Sequence, residues 1–452
     1  MMIVCSRSYF NQYLSSILAG IAVLCVGCTV GWTSPALKKL KGRDSPILIT
    51  EGESSWLAAS HEIGHFLSPI PTGLLLARFG RKRWLLFSSI LILSGWIIVF
   101  FSTTVFTLYI ARCLFGLAMG IVFTVVPLYI AEIASPEIRG ALSTFFQSML
   151  YLGHVIEFSI GPYVSFQILN GVSMSIAFIS FILLFIMVES PLFLVSDSKR
   201  DEASSVLKWL LKSEHDVESE VIKLDQMLEH QISSTSKFKL LFSKAYFSKL
   251  VIVVFTAVAQ RFTGMSAFVA YASSNFASSD GLSSDEYTIL FGVLVFLFTF
   301  VSAALIDSLG RRPLLLFSCF GCALTHLVSG TYYYGKFIDF PMLPFLMITL
   351  FSIVYSLGLG PLINTLQGEL FPPNLKGVAS SIVTVSHATS SFAVTKLFQV
   401  IKSNVGIYLN FYIFAVSCII SFIISYLIVP ETKRLELEVL QRPTEESQEE
   451  EN

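Results

Sequence analysis

Charge is what this sequence has least of. Asp, Glu, Lys and Arg together make up 13% of its 452 residues, about half the roughly 25% of an ordinary soluble domain. Hydrophobic residues make up 54% and mean hydropathy is +0.71. A soluble domain of this size could not hide so much apolar surface, because surface falls too slowly with volume. Lipid is therefore expected to be part of its solvent. Basic tracts and base-stacking platforms are missing, which argues against a nucleic-acid partner. There is no N-x-S/T sequon. The seven cysteines are odd in number, and the C-x-x-C pairs Cys25/Cys28 and Cys319/Cys322 sit inside apolar runs with no second ligand pair nearby. They are read as small packing residues, not as zinc or redox sites.

What is present is a series of apolar stretches. The first, 14–32, follows Arg7 but is too long for a secretory h-region of about 7–15 residues and lacks an A-x-A site. A span needs about 20 apolar residues, and twelve candidates meet that need. They are 14–32, 56–77, 84–103, 106–133, 141–163 and 171–188, then 250–276, 287–305, 313–332, 342–362, 378–400 and 408–429. The expected organisation is a six-helix bundle over 1–190, a polar linker with short amphipathic helices over 191–249, a second six-helix bundle over 250–430 and an acidic tail over 431–452. Basic residues fall mainly in alternate loops on one side: Arg78 to Arg83, Arg139, the linker lysines, Arg311, Arg312 and Lys376. That bias puts both termini and the linker in the cytoplasm.

The two halves repeat one another. Gly80-Arg81 follows the second stretch and Gly310-Arg311-Arg312 follows the eighth. Glu132 precedes Arg139 by the same seven positions that separate Glu369 from Lys376. Glu189-Ser190-Pro191 closes one half and Pro430-Glu431-Thr432 the other. A parallel repeat of this kind is how many alternating-access transporters are built. Matched acids and bases at corresponding places are expected to act as cytoplasmic charge latches that hold the two halves together while the cavity opens outward. The expected gate set is Arg81, Arg112, Glu132, Arg139, Glu189, Arg311, Arg312, Glu369, Lys376 and Glu431.

In order and spacing these motifs resemble the sugar-porter family of the major facilitator superfamily over nearly the whole chain. Further matches are Arg112-x3-Gly116-x3-Gly120, Gln147-x5-Gly153, Gln260-x3-Gly264 and Gly358-x-Gly360-Pro361. Gly31-Trp-Thr-Ser-Pro35 is most similar to the insect facilitated trehalose/hexose transporter branch. The resemblance implies a twelve-helix, all-α major facilitator fold that carries a sugar, with trehalose or a hexose leading. Several family positions differ. The loop-motif Asp is Ala77, its second-half partner Arg is Ser308, and the tenth-span Arg is Lys376. In the cavity, the family's Gln-Gln and Asn become Gln260-Arg261 and Ser266. Val295, Ser356, Asn364 and His387-Ala388 replace an Asn, a Glu, a Trp and an Asn-Trp pair. By this resemblance the solute is expected to meet Gln147, Gln260, Arg261, Ser266, Ser356, Asn364, His387 and Thr29. Arg261 is unusual, because a guanidinium inside the membrane is costly unless it faces a wet cavity or a partner. It opens the alternative of an anionic or phosphorylated solute.

Proton-coupled sugar porters carry a first-span carboxylate near the fourth-span arginine. Here that position is Thr29, so uniport is expected. Symport stays open through the intramembrane carboxylates Glu62 and Glu157, the latter the plausible substitute site. His61-Glu62-Ile63-Gly64-His65 matches the H-E-x-x-H zinc protease motif, but a third zinc ligand is not recognisable, so metal, cofactor and catalytic residues are not expected. A non-transporting nutrient sensor is the remaining alternative. The expected partners are a small solute and membrane lipid, with the chain acting as a monomer in the plasma membrane.

Overall fold

The computed structural model describes residues 9–42, 45, 47–135, 138–211, 217–232, 237–275, 283–335 and 342–432. The acidic tail expected over 431–452 lies outside them from residue 433 on, as do the side chains of Arg139 and Asp307. Every regular element described is helical.

Among the described residues nine helical stretches are long and apolar enough to cross a membrane: Phe10–Leu40, Arg81–Phe100, Val105–Ile133, Phe166–Ile186, Tyr246–Ser273, Ser284–Ile306, Arg311–Gly335, Leu343–Leu370 and Ile407–Ile428. Three further segments complete the two sets of six: Glu51–Leu67 with Pro69–Phe79, then Arg139–Ile160, then Pro373–Asn404. These three contain His61, Glu62 and His65; Gln147, His154 and Glu157; and His387 and Ser391. They are polar because they face an interior cavity, whereas spans such as Phe166–Ile186 and Ile407–Ile428 expose Ile182, Phe185, Ile423 and Leu427 outward, as a lipid-facing helix does. The twelve are numbered as spans one to twelve below. Between spans six and seven, Arg200–Leu211 and Val217–Ile232 form the two longest linker helices. Leu194, Val195 and Ala203 make a small apolar core there, and Asn11 Nδ2 of span one donates to Trp209 O at 2.5 Å.

Close helix packing depends on small residues, because lipid gives helices little hydrophobic reason to associate. A Cβ on Gly116 would lie 1.8 Å from His61 O, and one on Gly153 would lie 2.4 Å from Leu24 O. Spans four and five can therefore approach spans two and one only as glycines.

Span one is interrupted at Trp32, span two at Ser68, span seven at Thr263-Gly264 and span ten at Gly358. Backbone groups freed at such breaks must be satisfied by protein or by a wet cavity. At the span-ten break, Gln260 Nε2 donates to Leu359 O at 2.9 Å and to Gly360 O at 2.7 Å.

Candidate functional site

The motifs shared by the two halves form two near-copies of one arrangement at the end of the bundle where the basic loops lie. Gly80 and Gly310 turn the chain between spans two and three and between eight and nine, with φ of +80° and +98°, values that glycine adopts at no steric cost. A Cβ there would meet Glu189 Oε2 at 2.5 Å or Glu431 Oε2 at 2.6 Å. The two carboxylates are close because they cap the next helices. Glu189 accepts from the backbone N–H of Arg81 at 2.9 Å and of Lys82 at 3.2 Å. Glu431 accepts from Arg311 N at 3.0 Å and Arg312 N at 3.1 Å. An anion at a helix N-terminus meets unpaired N–H groups and the positive end of the dipole.

The arginine side chains pair with different acids. Arg81 Nη2 lies 2.6 Å from Glu132 Oε1, and Ser190 Oγ donates to Glu132 Oε2 at 2.5 Å. In the second half Arg311 Nη2 lies 2.9 Å from Glu369 Oε1, and Thr432 Oγ1 donates to Glu369 Oε2 at 2.6 Å. Arg312 Nη2 instead donates to Tyr426 O at 2.6 Å. Lys376, partly buried, opens span eleven. These pairs each close within one half, which corrects the expectation that they hold the two halves together. They join helices inside a bundle. The hydroxyl partners Ser190 and Thr432 were not foreseen, although their shared place after Glu189 and Glu431 was visible in the repeat.

Contacts between the halves are found between spans two and eleven, where Ser381 Oγ donates to Pro69 O at 2.9 Å, and at the opposite end and beside the cavity. Lys38 pairs with Asp285 at 2.6 Å, Ser34 Oγ lies 2.8 Å from Ser273 Oγ, and Gln399 Nε2 donates to Glu51 at 2.7 Å. Lys396 Nζ donates to Ser55 Oγ at 2.7 Å and sits 4.1 Å from the Trp56 ring centre. Deeper in, Ser391 Oγ donates to Glu62 Oε1 at 2.8 Å.

The cavity lies between the halves and leaves about 70 Å³ for the centres of water-sized molecules, room for about five waters. Gln147, Gln260, Arg261, Ser266, Asn364 and His387 all line it, with the rings of Phe123, Phe146, Tyr151 and Tyr355. Gln147 and Asn364 meet across the halves, Asn364 Nδ2 to Gln147 Oε1 at 3.4 Å. Arg261 Nε donates to His387 Nε2 at 2.6 Å, and its Nη1 donates to Ser266 Oγ at 3.0 Å.

Three expected residues sit elsewhere. Thr29 is fully buried, with Oγ1 donating to Val26 O of its own helix at 2.8 Å. Val30 and Thr33, further round the helix, reach the cavity instead. Ser356 likewise donates to Ser352 O at 2.7 Å, while the preceding Tyr355 lines the cavity. Neighbouring residues on a helix point about 100° apart, so an offset of one residue is enough to miss. Arg112 lines the cavity and is not part of a gate at the basic end. Its guanidinium is held by three carbonyls, Leu57 O at 3.1 Å, Thr29 O at 2.6 Å and Ala58 O at 3.5 Å.

His61 and Glu62 of the H-E-x-x-H motif also line the cavity. Glu62 Oε2 lies 2.8 Å from His65 Nδ1, and its other oxygen takes the Ser391 hydroxyl. The carboxylate is thus spent on fixing one half against the other. Among the described residues no group of three or more His, Cys, Asp or Glu is placed to hold a metal ion. Glu157 lies behind the wall, where Ser173 Oγ donates to its Oε1 at 2.6 Å.

The chain's sequence and two-halved helical fold are shared with known proteins. Residues 13–443 match the family model described as sugar (and other) transporter. The chain belongs to this family. The transporter is 31% identical over 440 residues to the facilitated trehalose transporter of Bombyx mori, covering 96% of this chain and 86% of that relative. It is 30% identical to that of Anopheles gambiae, but spans only 56% of that longer protein. Its fold matches a major facilitator proton:xylose symporter bound to 6-bromo-6-deoxy-D-glucose, with a TM-score of 0.82 at 22% identity. That match covers 96% of this chain and 98% of the symporter. The transporter is thus a multi-pass membrane protein of the major facilitator fold.

Proposed function

We propose that this transporter carries a sugar, trehalose or a hexose, down its gradient by alternating access. The observation that carries the reading is the cavity itself. Sugars bind where amides and hydroxyls meet ring hydroxyls and aromatic faces cover the apolar ring edge. Gln147 and Asn364 supply amides from opposite halves, and Phe123, Phe146, Tyr151 and Tyr355 supply rings. The insect relatives named as facilitated trehalose transporters support the same substrate class.

The surroundings of the carboxylates support uniport. A coupling acid has to change its protonation preference between two access states beside the solute. Arg112 binds the Thr29 carbonyl, not a side-chain acid, Glu157 faces Ser173, and Glu62, which lines the cavity, is held by His65 and Ser391. The basic loops support cytoplasmic termini, and a single chain encloses its cavity, in keeping with a monomer, for which the plasma membrane is the membrane proposed. In liposomes holding the purified chain, labelled trehalose and glucose should equilibrate at a rate indifferent to an imposed pH gradient. Sugar uptake driven uphill by that gradient would refute uniport, and Glu157→Gln and Glu62→Gln would then locate the coupling acid.

A further inference from the structure

The wall of the cavity carries charge that a neutral sugar does not require. Arg112 and Arg261 both line it, against one lining carboxylate, Glu62, so the wall has one formal positive charge in excess. The two arginines are not equivalent. Arg112 is 2% exposed and its Nε, Nη1 and Nη2 each reach a backbone carbonyl. Arg261 is only half-buried and open to the cavity. Its Nε is taken by His387 Nε2 and its Nη1 donates once, to Ser266. Its Nη2 lies 3.2 Å from His387 Nδ1. His387 Nε2 also lies 3.0 Å from Gln260 Oε1, so a neutral imidazole that donates there accepts from Arg261 at Nδ1. In either tautomer at least two N–H groups on the terminal nitrogens are left over.

Among the described residues no acid makes a direct ion pair with Arg261. Glu62 is bound to His65 and to Ser391, and Ser391 stands between it and Ser266 at 2.9 Å. A guanidinium inside a membrane without its anion is expensive. Its planar fork fits a carboxylate through two parallel bonds.

We propose, building on the sugar reading, that the preferred solute is a sugar bearing one carboxylate, a uronate or aldonate, with Arg261 as its counter-ion. The charge count selects a monoanion. A phosphate ester at about −1.5 to −2 would over-compensate a single excess charge. The hydroxyls of the acid meet Gln147 and Asn364, as those of a neutral sugar would.

The test is uptake of radiolabelled glucuronate and glucose by liposomes containing the full chain, with the membrane potential clamped by potassium and valinomycin. Wild-type protein should take up glucuronate, faster at inside-positive potential and slower at inside-negative potential, because a net charge crosses. Arg261→Gln should lower the glucuronate-to-glucose uptake ratio roughly ten- to a hundredfold, the range for a hydrogen bond to a charged group. Where that variant fails to insert, the potential dependence of the wild type decides alone. Glucose uptake without glucuronate uptake would overturn this inference and leave the sugar reading standing. Glucuronate uptake that ignores the potential, or a ratio unchanged by Arg261→Gln, would also overturn it. Uptake of neither sugar by inserted protein would overturn both.

Discussion

Ser391→Ala removes a single hydroxyl from the contact between the halves. Ser391 is fully buried, and its Oγ donates to Glu62 Oε1 at 2.8 Å and meets Ser266 Oγ at 2.9 Å. Alanine keeps the helix and adds no bulk, so packing within the second half should survive. Glu62 keeps His65 but loses its partner from the other half. A hydrogen bond to a charged group contributes about 1.5–3 kcal/mol when one partner is removed. The loss falls on any state in which the halves meet here, and not on a state in which they have parted. The closed-to-open ratio at this end should therefore drop roughly ten- to a hundredfold. Pulsed electron spin resonance between labels at Leu48 and Val405, exposed in opposite halves, reads that ratio as a distance distribution. A distribution identical to that of the parent would refute the argument that the Glu62–Ser391 contact holds this end shut.

Glu189→Gln and Glu431→Gln should each cost about 1 kcal/mol by weakening a helix cap, seen as a lower melting temperature in detergent, with the double variant nearly additive because the caps lie in separate halves. Gly80→Ala should be worse than either. With φ +80° and ψ 177° the backbone lies in a region essentially reserved for glycine, at a cost to alanine of roughly 1–3 kcal/mol, and the new Cβ would sit 2.5 Å from the Glu189 carboxylate. Reduced expression and melting temperature together would show it. Lys38→Ala breaks an ion pair whose lysine is half exposed, so its effect on the label distances should stay within about 1 kcal/mol and fade at high salt.

The fold was legible because its signals are repetitive. Twelve apolar stretches, a biased set of basic loops and paired motifs such as Gly80-Arg81 and Gly310-Arg311 all point to one architecture. The cavity was legible where an unusual polar residue stood within a span, as with Gln147, Gln260 and Arg261. Thr29 and Ser356 were misplaced because a short hydroxyl can bond its own helix, and the sequence does not show which way it turns. The roles of Glu189 and Glu431 were misread for a different reason. A carboxylate near an arginine suggests an ion pair, yet the partner here is the backbone N–H of that same arginine. Lys38 and Asp285 stand 247 positions apart with no motif to join them, so only the folded chain brings them together. The H-E-x-x-H pattern showed how a motif borrowed from one chemistry can serve another, since Glu62 binds a serine of the opposite half.

The measurement that bears most directly on the account is counterflow. Liposomes containing the transporter are loaded with unlabelled trehalose, glucose or glucuronate and diluted into a trace of the same labelled solute. A carrier that alternates access around one cavity exchanges faster than it returns empty, so label should accumulate transiently above its outside concentration with at least one of the three, at equal pH on both sides. Correctly inserted protein that shows no transient with any of them would contradict the claim that this cavity carries a sugar.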